Sequence, residues 1–128
     1  MSANFRIVTN NRAVEETFPG VTERYDVNVE GIFKLSRDAI HFGAKLINHP
    51  LSGSVKPNES PYKSLILSTA PNALHMDSLT LIEGALQVLY KLGIKHRDYP
   101  ERALEDFRMI DLDLIGSAIQ ALPSEYHF

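Results

Sequence analysis

The run KSLILST, residues 63–69, limits the possible folds of this chain more than any other stretch. Leu65, Ile66 and Leu67 follow one another with no polar residue between them, so neither face of a strand built there can meet water. A sheet that contains such a strand must be covered by helices on both sides, and the run is expected at its centre. FRIVTNN, residues 5–11, is a second β-branched stretch, and it ends in Thr9, Asn10 and Asn11, residue types that favour turns. RYDVNVEG, residues 24–31, alternates Tyr25, Val27 and Val29 at period two and reads as a half-buried strand. AKLIN, residues 44–48, reads as one more short strand ending before His49 and Pro50.

Helical spacing fills the gaps between these strands. RAVEETFPG, residues 12–20, is mildly helical and is stopped by Pro19 and Gly20. Ile32, Leu35, Ala39, Ile40 and Phe42 recur near the helical period, and Gly43 suits the left-handed residue that closes such a helix. Leu79, Ile82, Leu86 and Leu89 form one stripe behind a cap at Asp77 or Ser78, with Gly93 at the far end. Pro100 opens a helix through ERALEDFRMI, and Asp111 is expected to cap a last one carrying Leu112, Ile115, Ile119 and Leu122. The expected architecture is a single α/β domain over residues 1–128: a short, partly parallel sheet covered by helices in a Rossmann-like three-layer arrangement, with a helical C-terminal third.

Charge and composition narrow the function classes. Thirteen Lys and Arg against sixteen Asp and Glu give a formal net charge of −3, which supplies no basic field for nucleic acid or anionic membrane. The apolar runs fall far short of the roughly 18 to 20 residues that span a bilayer, and MSANFRIVTN has no apolar leader segment, so a cytoplasmic location is expected. The chain has no cysteine, hence no disulfide, thiolate metal site or dithiol exchange of its own. His41, His49, His75, His96 and His127 are scattered without paired spacing, and neither a metal nor an organic cofactor is expected.

The stretch HPLSGSVKPNESPYK, residues 49–63, carries the densest chemistry. Pro50, Pro57 and Pro61 fix backbone angles, Gly53 permits close approach, and Ser52, Ser54, Asn58, Glu59 and Tyr62 offer polar groups beside Lys56 and Lys63. If the sheet is open and mainly parallel, this loop and Thr9-Asn10-Asn11 meet over one crevice at the C-terminal ends of the strands. Hydroxyls, backbone amides and lysines together suit a small carboxylate or phosphate. The same residue types also brace long loops through Asx and Ser turns. The segment is neither a P-loop nor a dinucleotide fingerprint, and Ser52 and Ser54 lack the turn of a hydrolase nucleophile. Asp106, Asp111 and Asp113 read as structural, either as caps or as partners of Arg102 and Arg108.

VTNN near the N-terminus, the block HPLSGSVKPNESPYKS and the segment YPERALEDFRMIDLDLI together resemble the GrdX family, small proteins associated with glycine, sarcosine and betaine reductase systems. The resemblance covers most of the chain, and its long central block is the specific part. It implies a metabolic setting: partners that handle glycine-type substrates, carboxymethyl-selenocysteine intermediates and acetyl phosphate, with electrons from thioredoxin. A chain without a thiol cannot carry those electrons, so an accessory or sensing role follows more easily.

Two functions are therefore expected to compete. In one, a non-catalytic module binds a small carboxylate or phosphate, or docks on a reductase subunit, through Thr9, Asn10, Asn11 and the loop from His49 to Lys63. In the other, a small enzyme uses His49 to shuttle a proton while Lys56 or Lys63 stabilises negative charge on a phosphorylated or carboxylated metabolite. A homodimer through an apolar face of the C-terminal helices is a further expectation.

Overall fold

A computed structural model of the chain describes residues 4–53, 56–70, 73–94 and 98–126. It contains a three-stranded sheet in which β1 (Phe5–Thr9) lies between β2 (Thr22–Arg24) and β3 (Ser64–Ser68). β2 runs parallel to β1, with Ile7 opposite Thr22, while β3 runs antiparallel to it, with Ile7 opposite Ile66. Around the sheet stand α1 (Arg12–Thr17), α2 (Val29–His41), α3 (Met76–Leu92) and α4 (Glu101–Gln120), followed by a 3-10 turn at Ser124–Tyr126.

Period two in the strands sorts their side chains into two cores. Val8, Leu65 and Leu67 pack with Ile32, Phe33 and Ile40 of α2 and Ile82, Leu86 and Leu89 of α3. Phe5, Ile7 and Ile66 point the other way, onto Val14 of α1 and Ile115 of α4. Leu65, Ile66 and Leu67 are all fully buried, as their uninterrupted run requires, and each buried aliphatic side chain contributes about 1.5–3 kcal/mol.

Four details depart from the sequence expectation. β3 is not the central strand; its second edge meets only the single bridge Leu46–Leu67, so AKLIN supplies one rung and not a strand. The strand expected at Tyr25–Val29 lies upstream at Thr22–Arg24, because Asn28 accepts a hydrogen bond from Gly31 N (2.8 Å) and starts α2 at Val29. α3 is capped by His75, whose Nδ1 accepts from Ser78 N at 3.2 Å, upstream of the expected caps Asp77 and Ser78. The two expected C-terminal helices are one, with Asp111 in its middle. Phe107, Asp111, Ile115, Ala118 and Leu122 recur at steps of three and four, so the helical stripe passes straight through the acid.

Candidate functional site

Antiparallel pairing of β1 and β3 determines where the polar loops meet. It sets the last residue of β1, Thr9, opposite the first residue of β3, Ser64. The residues leaving β1 and the loop entering β3 therefore share one end of the sheet. The two segments converge as expected, although a mainly parallel sheet is not the reason.

Asn10 fastens the loop to that end. Its Nδ2 donates to Val27 O and to Pro61 O, each at 2.8 Å, and its Oδ1 accepts from Lys63 N at 2.9 Å. One side chain thus ties β1 to the start of α2 and to the last turn of the loop, and its hydrogen-bonding capacity is used within the chain. Asn11 is fully buried. Its Oδ1 caps α1 through Ala13 N, and its Nδ2 donates to Arg108 O (2.9 Å) and Asp111 Oδ2 (3.1 Å).

Asp111 is the end point of a buried polar chain. Asn11 N donates to Thr9 Oγ1 at 3.0 Å, and Ser64 Oγ donates to Asp111 Oδ2 at 2.7 Å. The single Ser64 hydroxyl hydrogen is thereby spent, so Thr9 is the donor in the 2.7 Å Thr9–Ser64 contact. Every donor in the chain leads toward one carboxylate oxygen. Burial pushes the Asp111 carboxyl above the usual carboxylate range, while hydrogen bonds from Ser64 and Asn11 and the Lys63 charge pull the other way. Burial likewise lowers Lys63, with Asp111 opposing the shift.

A cavity of about 540 Å³ lies on the other side of Asn10. Residues 57–62 form one wall, residues 26–30 at the start of α2 another, and Leu89, Ile94, Asp98 and Tyr99 close it. Tyr99 Oη donates to Glu59 O at 2.7 Å and its ring meets Phe107 edge-on, 5.0 Å between centroids. Tyr62 is held by Arg108, which donates to its hydroxyl at 2.8 Å, lies 5.6 Å above its ring and pairs with Glu101.

The expected binding residues divide between two places. Asn10, Asn58, Glu59 and Tyr62 line the large cavity. Ser52, Lys56 and Lys63 instead line a smaller hollow of about 30 Å³ beside Asp111, which Tyr62 also borders. Gly53 adjoins this hollow at φ +121°, where an added Cβ would stand 2.8 Å from Leu114 Cδ1. Thr9 and Asn11 are buried in the polar chain away from both openings. His49 is exposed and lines neither; its Nδ1 accepts from Leu51 N at 3.0 Å and closes a turn. Ser54 lies outside the described residues, as do His96 and His127. Among the described residues no three His, Asp or Glu side chains gather as a metal site.

Sequence reasoning took Asp111 and Arg108 as structural without finding their partners, and it missed Asp26 and Asp98. The signal for Asp111 was present, since an acid inside an apolar helical stripe must find buried donors. Asp26 and Asp98 had none, because they lie far apart in sequence and only the fold brings them to one cavity.

The sequence pattern of a family described as GrdX-like protein matches residues 6–120. No curated protein and no solved structure matches the chain.

Proposed function

The chain belongs to the GrdX-like family, and from that premise we propose that it is an accessory, ligand-sensing protein of glycine, sarcosine and betaine reductase metabolism. A small carboxylate-bearing metabolite occupies the cavity behind the 49–63 loop, and the loop presents the occupied state to a reductase subunit. The observation that carries this proposal is the cavity itself: about 540 Å³, within the range of small-molecule sites, with Asn10 fastening both walls to the end of β1, one hydrogen bond to Val27 and two to the loop at Pro61 and Lys63. A ligand pressing on residues 57–62 acts on a segment already coupled to β1 and α2. The absence of any thiol suits an accessory role, since this chain relays no electrons. His49, the proton shuttle that an enzymatic role would need, stands outside the cavity.

Isothermal titration with glycine, sarcosine, betaine, acetate, acetyl phosphate and purified reductase subunits tests the proposal. Saturable binding of at least one metabolite is expected. It should disappear in Val27→Trp, which puts an indole where a half-exposed valine lines the cavity. Flat titrations with every compound and every subunit would refute it.

A further inference from the structure

Among the described residues, the walls of this cavity carry charge of one sign. Asp26, Glu30, Glu59 and Asp98 line it, and no described lysine, arginine or histidine does. Glu30 is engaged: Tyr90 Oη donates to it at 2.6 Å and Lys34 stands at 3.1 Å. Among the described residues, Asp26, Glu59 and Asp98 have no side-chain hydrogen bond or ion pair. Asn58 adds one more open acceptor. Its Nδ2 donates to Leu92 O and Gly93 O, at 3.3 and 3.2 Å, while its Oδ1 is buried without a partner. Tyr62 and Tyr99 add aromatic surface to the lining, Tyr62 with the Arg108 guanidinium 5.6 Å over its ring.

A concave site lined by carboxylates focuses negative potential and favours a cationic group on its ligand. A metal ion needs several oxygens converging within about 2.0–2.6 Å, and the acids here do not gather in that way. Dispersed carboxylates beside tyrosine rings match a cation whose charge is spread over a small organic group. We propose that the ligand is recognised in this cavity through a cationic nitrogen, an ammonium or alkylammonium group held among Asp26, Glu59 and Asp98 and against Tyr62 and Tyr99. This rests on the cavity being the ligand site and adds the sign of the recognised group. Joined to the carboxylate proposed above, it makes the ligand a zwitterion.

Titration of the full chain with tetramethylammonium and ethylammonium chloride, against sodium acetate and phosphate as anions, is the test. Both ammonium ions should bind and compete with each other. The triple variant Asp26→Asn, Glu59→Gln, Asp98→Asn, whose first and last sites are exposed and whose circular dichroism should be unchanged, should bind them about tenfold more weakly or worse. Flat ammonium titrations, or equal affinity in the triple variant, overturn the inference. If acetate binds, Val27→Trp abolishes that binding and the ammonium ions stay silent, the sensing role survives and the cationic group does not. If the ammonium ions bind while every reductase metabolite and subunit fails, the cationic site stands and the link to reductase metabolism falls.

Discussion

Replacing Asp111 by alanine removes the acceptor on which the buried donors converge. The Asn11 amide hydrogen now directed at Oδ2 has no other acceptor, because its twin is taken by Arg108 O. Thr9 and Ser64 can bond to each other only once, so one hydroxyl hydrogen is also left over. Each buried orphan costs about 1–3 kcal/mol, less a partial offset from no longer burying a carboxyl group, for a net loss of about 2–4 kcal/mol. For a domain of this size that lowers Tm by about 8–15 °C. Asp111→Asn keeps an oxygen that accepts from Ser64 and Asn11 and cannot ionise, so it should lose about 1 kcal/mol or less at pH 7. The sign of the pH dependence follows from the raised carboxyl. A group whose folded pKa is raised helps most below its unfolded value, about 3.9 for Asp, and that help is lost as pH rises through the folded value. The difference between Asp111→Asn and wild type cancels the other titrating groups, and it should shift in favour of the variant as pH is raised from acid toward neutrality. Urea unfolding followed by circular dichroism across that interval provides the measurement. An asparagine variant as unstable at pH 7 as the alanine variant, or a difference that moves toward wild type with rising pH, would refute this account.

Asn10→Ala should speed amide exchange at Lys63 by about tenfold or more, since its N–H loses the Asn10 Oδ1 acceptor, with a stability loss of about 1–3 kcal/mol; unchanged protection measured by hydrogen exchange would show that the clamp is dispensable. Gly53→Ala should cost about 1–3 kcal/mol, because φ +121° strains any side chain and the new Cβ strikes Leu114. In that background Leu114→Ala should recover only the contact part of the loss, read by thermal melts. His49→Ala should stay within about 0.5 kcal/mol of wild type and leave metabolite titrations unchanged, as expected of an exposed turn residue.

The layered α/β architecture was legible because apolar runs and helical stripes report burial directly. Ser64–Ser68 announced itself through three consecutive aliphatic residues, all of them fully buried. Strand position within the sheet was not legible, since burial on both faces says nothing about which edges are paired. Tyr25, Val27 and Val29 alternated as a strand would, yet the local capping of α2 by Asn28 decided the conformation, leaving Tyr25 and Val27 exposed. Asp111 resembles a cap by residue type, and only its spacing to Ile115 and Leu122 identifies it as interior.

At the candidate site, the sequence located the loop but not the roles of its groups. Asn10 carries donors and an acceptor that suit a ligand, and the fold uses them to hold the loop and Val27. Lys56 and Lys63 are close in sequence to Glu59 and Tyr62 but turn into a different hollow. Nothing in residue spacing foretells that division, because it depends on which side of the backbone faces α4 and which faces α2.

The edges of the sheet bear on how this protein behaves at high concentration. β2 offers only three residues on its open side, with Glu23 and Arg24 paired to Arg6 and Glu15 along it, while the far edge of β3 is partly occupied by the rung at Leu46. A neighbouring molecule finds little backbone on either margin to extend by strand addition, so fibril growth from the native state has poor footing among the described residues.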